Sequence, residues 1–212
     1  LPAILLGIVL LPWTGLSTEL SGRVVSGKAR FTVITPQCIR IEYSAAGQFV
    51  DSPSYFAADR KTRDSSAKVS ASNGDVTIDT GAIRLRYHND GQPLSGTNLE
   101  ALISDGSQTV VWKPGLANSG NLGGTERTLD LWDGARPIGN GLLSRDGWFL
   151  LDDSASVLFA GGWFQARPRG SGTDWYLFGY GSDYRAALKS LTAISGRVPL
   201  PRRYVLGAWY SR

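Results

Sequence analysis

Methionine is missing from the 212 residues, and cysteine and histidine occur once each, as Cys38 and His88. A lone cysteine leaves no disulfide framework within the chain and no cysteine-built metal cluster. A lone histidine removes multi-histidine metal sites and argues against a Ser-His-Asp triad. Charge is sparse as well: Asp, Glu, Lys and Arg make up 19% of the chain, and the net charge is only +4. The basic residues are scattered, the longest run being Arg60-Lys61-Thr62-Arg63. Nucleic-acid binders gather such residues into a stripe or patch, so no nucleic-acid partner is expected. No apolar stretch reaches the roughly twenty residues of a membrane span, so none is expected.

What the chain does have is 26 glycines, seven tryptophans and eight tyrosines. That balance suits a β-rich fold with many turns better than a helical bundle, and 212 residues suffice for one large β-domain. The apolar opening, residues 1–11, has the length of a signal-peptide core, with Gly15 and Ser17 placed to precede a cleavage point. A charged start is lacking, and with no methionine in the chain Leu1 is read as lying downstream of the translated start. Residues 1–18 are therefore expected to be a truncated leader of an exported protein, secreted, luminal or periplasmic.

Residues 30–34 and 38–43 alternate apolar and polar side chains, as half-buried strands do. Residues 75–79 and 82–87 repeat the pattern around Thr80-Gly81, a hairpin turn. Further strands are expected at 109–112, 147–151 and 156–160, while the polar segment 52–71 reads as a surface loop. Many short strands divided by turn signals indicate a sandwich. One helix stands out, with Ser182 as its cap, Tyr184, Ala187, Leu188, Leu191 and Ile194 at helical spacing, and Gly196 as its stop. After Val198-Pro199-Leu200-Pro201, the nearly continuous apolar run 204–210 reads as a strand buried on both faces.

An ordered set of motifs then sharpens the picture. Asn121-Leu122-Gly123-Gly124-Thr125-Glu126-Arg127-Thr128-Leu129-Asp130 is followed by Gly141-Leu142-Leu143-Ser144-Arg145-Asp146-Gly147-Trp148 and Asp152-Asp153-Ser154. Asp174-Trp175-Tyr176-Leu177-Phe178-Gly179-Tyr180-Gly181, Asp183-Tyr184 and the stretch from Pro199 to Arg212 complete it. In this order and spacing the chain resembles glycoside hydrolase family 31. The resemblance is specific over residues 121–212 and a looser strand pattern over 23–98. It implies an all-β fold class, a galactose-mutarotase-like β-sandwich with one short helix over residues 19–196. Residues 197–212 would be a linker and the first strand of a (β/α)8 barrel otherwise missing. It also implies a parent that cleaves or transfers α-linked glucosides or xylosides with retention, through two barrel aspartates about 5 Å apart. Neither aspartate maps onto a position here, so no catalytic residue is named and the fragment itself is expected to be inactive. No cofactor and no metal is implied; the expected partner is a carbohydrate substrate.

The resemblance further implies that the loop over 121–140 reaches the rim of the barrel pocket. Asp130, Trp132, Asp133 and Arg136 are its candidate sugar contacts, because carboxylates and guanidinium groups bond hydroxyls and an indole stacks on a pyranose. Domain–domain packing is the equal alternative for this segment. The Gly120–Gly124 stretch lacks the Lys-Ser/Thr of a phosphate loop and reads as backbone passing close to another surface. Asp152-Asp153 cannot face one another on a strand and read as a turn. A free carbohydrate-binding module and a purely structural buttress remain the other two readings.

Overall fold

The computed structural model describes residues 18–20, 22–60, 64, 66–104, 108–125 and 130–207. Of the leader expected over 1–18, residues 1–17 lie outside them, while Thr18 already opens the first strand. The described chain forms thirteen strands, one α-helix and one 3-10 turn. In chain order these are β1 (Thr18–Leu20), β2 (Arg23–Ser26), β3 (Ala29–Thr35), β4 (Cys38–Tyr43), β5 (Lys68–Ser72), β6 (Asp75–Asp79) and β7 (Ile83–His88). They continue as β8 (Leu99–Ser104), β9 (Thr109–Trp112), β10 (Trp148–Asp152), β11 (Leu158–Ala160), β12 (Trp163–Gln165), β13 (Thr173–Gly179) and α1 (Tyr184–Ser195).

Two antiparallel sheets make the sandwich. One runs β1-β2-β3-β4-β13-β10, and the other is the meander β5-β6-β7-β8-β9. Their facing sides share one apolar core: Phe31, Ile39, Ile41 and Leu177 from the first sheet meet Ile78, Ile83, Leu85, Leu99 and Ile103 from the second. The layers come so close that a Cβ on Gly179 would lie 2.7 Å from Ile83 Cγ1 and 2.9 Å from Ile103 Cγ1. Each fully buried aliphatic side chain of this kind contributes about 1.5–3 kcal/mol. β7 buries every second residue, as its alternating sequence requires.

β3 and β4 depart from that pattern. They were expected to be half-buried, yet every residue of β4 and nearly every one of β3 is buried. The reason lies on the outer face of the first sheet, which is covered in two ways. Helix α1 seals one part, packing Ala187 and Ile194 against Ile34, Cys38, Tyr176 and Phe178. The segment following β4 seals the other. That segment is not the plain surface loop its polarity suggested: Ser54, Ala57 and Arg60 are buried, and Lys68–Ser72 pairs with β6 as a strand. The reading of residues 61–63 and 65 lies outside the described residues.

Two further expectations change. Asp183 rather than Ser182 caps α1, its carboxylate accepting the Ala186 N–H at 3.0 Å; a carboxylate also suits the positive end of the helix better than a hydroxyl. Gly196 ends the helix as expected, at φ 83°. Residues 203–206 form a 3-10 turn, not a strand, and among the described residues no strand pairs with them. The rest of the expected strand, 208–210, lies outside the described residues. Among the described residues no helix is long and apolar enough to cross a membrane.

Candidate functional site

The loop between β9 and β10 carries all four candidate sugar contacts. Its base is two limbs, residues 118–124 going out and 139–146 returning, held together by backbone bonds from Leu122 N to Leu143 O (2.9 Å), Gly124 N to Gly139 O (2.7 Å) and Arg145 N to Gly120 O (2.8 Å). Asn121 is the central tie. Its Oδ1 accepts the N–H groups of Gly123 and Gly141, each at 2.9 Å, while its Nδ2 donates to Gly141 O at 2.8 Å. The limbs lie so close that a Cβ on Gly141 would sit 2.3 Å from Gly123 O, and Gly123 adopts φ 85°. The glycine-rich stretch thus serves close backbone approach, as its sequence indicated.

Below the ties, the loop is fastened to the sandwich by side chains. Asn118 donates to Trp148 O at 2.7 Å and accepts the Ser144 hydroxyl. Asp146 accepts Gly120 N–H at 2.8 Å, so this residue does more than turn the chain before Trp148. Tyr180, just past β13, takes the Ser144 N–H at 2.7 Å and gives its own proton to Leu142 O at 2.8 Å.

At the tip, Asp130, Trp132 and Asp133 are exposed and Arg136 is half-buried. The structure brings two of the four together: the Arg136 guanidinium lies 3.9 Å from the centroid of the Trp132 ring. Such a cation–π contact leaves the other indole face open and holds the guanidinium beside it. Asp130 and Asp133 stand on either side of Trp132 in the chain. Leu131, beside them, is fully exposed, with φ 64°. An open groove lined by Leu122, Thr125, Asn140 and Leu142 runs along the base of the loop. Among the described residues no three His, Cys, Asp or Glu side chains gather as metal ligands.

The adjacent Asp152 and Asp153 are committed elsewhere. Asp152 Oδ1 accepts Ser154 N–H at 2.9 Å in the expected turn, but Asp153 is fully buried. It belongs to an ion network that the sequence reading missed, on the outer face of the first sheet. Arg30 grips Glu42 with two bonds of 2.6 and 2.7 Å and reaches Asp51 at 2.6 Å. Arg40 grips Asp174 through Nε and Nη2 at 2.8 and 3.0 Å, and the same Nη2 lies 2.8 Å from Glu42 Oε1. Arg60 bridges Asp174, at 2.7 Å, to Asp153, and Arg167 joins both at 3.0 and 2.9 Å. Burial opposes ionisation of Asp174, yet Arg40 and Arg60 outweigh it and hold the carboxyl down at about 2. For Glu42 burial prevails and pushes the carboxyl up despite Arg30 and Arg40.

His88 ends β7 exposed, its Nδ1 2.7 Å from Asp75. It lines an open hollow where Arg86 and Lys113 also lie within 3.6 and 3.5 Å of Glu100. Charges that neutralise one another on an open sheet face make a solvated surface rather than a reactive centre. Elsewhere Trp148 is buried and Trp175 packs at the edge of the core, whereas Trp163 is 73% exposed on the β11–β12 hairpin.

No protein-family model and no curated protein matches this sequence. Solved structures do. A mutant glycoside hydrolase family 31 dextranase of Flavobacterium johnsoniae, complexed with isomaltotriose, matches over 91% of the chain at 16% identity, with a TM-score of 0.51. The same dextranase complexed with glucose matches over 91% at 17% identity, with a TM-score of 0.50. The chain has a family 31-like fold. It spans 29% of the length of either dextranase chain. At such identity the likeness concerns the fold alone, an all-β antiparallel sandwich with one helix.

Proposed function

We propose that this chain is the sugar-contacting accessory domain of a retaining α-glycosidase whose catalytic carboxylates lie outside these 212 residues. One observation carries the reading: a family 31-like sandwich holds out a loop whose base is tied by Asn121 and whose tip bears an exposed Trp132 under Arg136. An indole with a free face, a guanidinium and two carboxylates is the chemistry that binds a pyranose, stacking on its C–H face and bonding its hydroxyls. The dextranases are complexed with isomaltotriose or glucose, which supports an α-glucan as the substrate class; α-xylosides remain the other class. Export to the cell exterior or periplasm belongs to the same proposal and rests on the apolar stretch of residues 1–11.

Domain–domain packing competes for the same loop, because Leu131 is fully exposed and Leu122 and Ile138 are 45% and 50% exposed. The two readings part in the enzyme that carries this domain. Trp132→Ala and Asp133→Ala should lower kcat/KM about ten- to a hundredfold with an unchanged melting temperature. Unchanged kinetics with a lowered melting temperature would overturn the sugar reading and leave the loop as packing.

A further inference from the structure

The hydrogen bonds at the base of the β9–β10 loop point to one side chain outside the loop that decides where it stands. Tyr180 is 3% exposed, and its backbone is fixed on both sides. Its N–H donates to Gly147 O at 3.0 Å, and its carbonyl accepts Asp183 N–H at 2.9 Å, where the chain turns into α1. Its ring meets that of Tyr184 edge-on, with centroids 6.0 Å apart. From this anchored position the hydroxyl makes two bonds to the returning limb, one accepted from Ser144 N and one donated to Leu142 O. Burial pushes the phenol up to about 12, so the proton that bonds Leu142 stays in place across the neutral range. The next residue, Leu143, carries the backbone bond to Leu122 that joins the two limbs.

We infer that Tyr180 is the positioning residue of this loop: its hydroxyl sets the returning limb, the Asn121 ties transmit that setting to the outgoing limb, and both fix the direction of the Trp132–Arg136 tip. The inference rests on the proposed sugar-contacting role for its functional consequence, but not for the mechanical one. Nothing else in the described structure bonds the Leu142 carbonyl and the Ser144 amide together, so the hydroxyl acts at one point on both.

Tyr180→Phe removes only the oxygen, and Tyr176→Phe is its control. Tyr176 lies on β13, is equally buried, and its hydroxyl has no hydrogen-bond partner among the described residues. Hydrogen–deuterium exchange on the full chain should show the amides of residues 122–124 and 139–144 exchanging about tenfold faster or more in Tyr180→Phe. The amides of β3, β4 and β13 should keep their protection, and Tyr176→Phe should leave the loop as it is. Asn121→Ala, which breaks the ties from the other limb, should open the same amides and serves if Tyr180→Phe does not fold. In the enzyme that carries the domain, Tyr180→Phe should raise KM several-fold, in the direction of Trp132→Ala, with kcat held. Unchanged loop exchange in Tyr180→Phe overturns the inference. So does a raised KM in Trp132→Ala with an unaltered one in Tyr180→Phe. Faster exchange with KM unaltered in both variants supports the positioning and refutes the sugar-contacting role instead.

Discussion

Asp174→Asn removes the centre of the buried ion network while preserving its shape. Asp174 is 3% exposed and receives bonds from Arg40 at 2.8 and 3.0 Å, from Arg60 at 2.7 Å and from Arg167 at 3.0 Å. An amide in its place removes the one carboxylate that all three guanidinium groups share, leaving Glu42 to face Arg40 and Asp153 to face Arg60 and Arg167. Breaking a buried pair in this way costs about 3–5 kcal/mol, because the stranded charge retains its desolvation penalty. In a chain of this size that lowers the melting temperature by about 6–20 °C. Urea unfolding followed by tryptophan fluorescence, on wild type and variant at pH 7, measures it directly. The acid limb supplies a second reading. A carboxyl held at about 2 in the native state, against an ordinary 3.8, contributes about 2–3 kcal/mol above the unfolded value. That contribution is lost as pH falls through the folded value, so wild type and variant should converge as pH approaches 2. Glu42 has the opposite sign: its raised carboxyl favours the native state as acid is added and blunts the decline. A loss under about 1 kcal/mol at pH 7, or a gap that persists unchanged into acid, would show that these charges are solvated and refute the reasoning.

The double variant Arg60→Met/Asp174→Asn should lose less stability than the sum of its single variants, since the two groups share one bond; strict additivity in the same urea experiment would contradict that. Gly141→Ala places a methyl 2.3 Å from Gly123 O and should destabilise the chain by about 1–3 kcal/mol, concentrated in the loop; a neutral melting temperature would show that the limbs can part freely. Cys38 is wholly buried and its thiol is pushed up by burial, so a thiol reagent should label it only on unfolding, and rapid labelling of native protein would contradict the packing under α1. Removing everything after Val198 deletes Leu200, 96% exposed, and Tyr204, 73% exposed, and should reduce self-association in light scattering; increased association would place that segment inside the sandwich.

Strands that carry their own period were legible in the sequence. Cys38–Tyr43, Asp75–Asp79 and Thr109–Trp112 stand where alternation put them, and the Thr80-Gly81 turn joins β6 to β7 with Gly81 at φ 89°. β13 escaped because Trp175 to Phe178 form a continuous aromatic and apolar run, buried on both faces, in which a period of two leaves no trace. β5 and β12 escaped because their signals are weak. Lys68–Ser72 does alternate, but its only apolar residues are Val69 and Ala71, half-exposed at the end of a polar stretch, and Trp163–Gln165 is too short and exposed to show a pattern. The ion network could not be read at all. Arg30, Arg40 and Glu42 look like the solvated side of a strand, and only Arg60, Asp153 and Asp174, each distant in the chain, make that side an interior. The candidate site was legible as a glycine-rich loop with an aromatic and charged tip. Its fastening was not, because Tyr180 is 36 residues from Ser144 and resembles any strand-end tyrosine.

The two outer-face coverings explain why such a loop can be both held and exposed. Segment 44–60 is locked to the first sheet through Arg40 and Arg60, and α1 through Ala187 and Ile194, so the sheet beneath the loop is braced on its outer side as well as in the core. The loop joins that braced body at Asn118, Asp146 and Tyr180, three side chains that bond backbone groups of the loop or its flanks. Bonds from side chain to backbone fix position without depending on what the tip residues are. The tip is therefore free to vary in chemistry while its base stays put, the arrangement expected where binding residues sit on a loop carried by a rigid scaffold. Exchanging Asp130, Trp132 and Asp133 together should accordingly leave the melting temperature of the chain unchanged within about 1–2 °C. Circular dichroism melts of the triple alanine variant check this, and a drop as large as that expected for Asp174→Asn would show that the tip itself supports the fold.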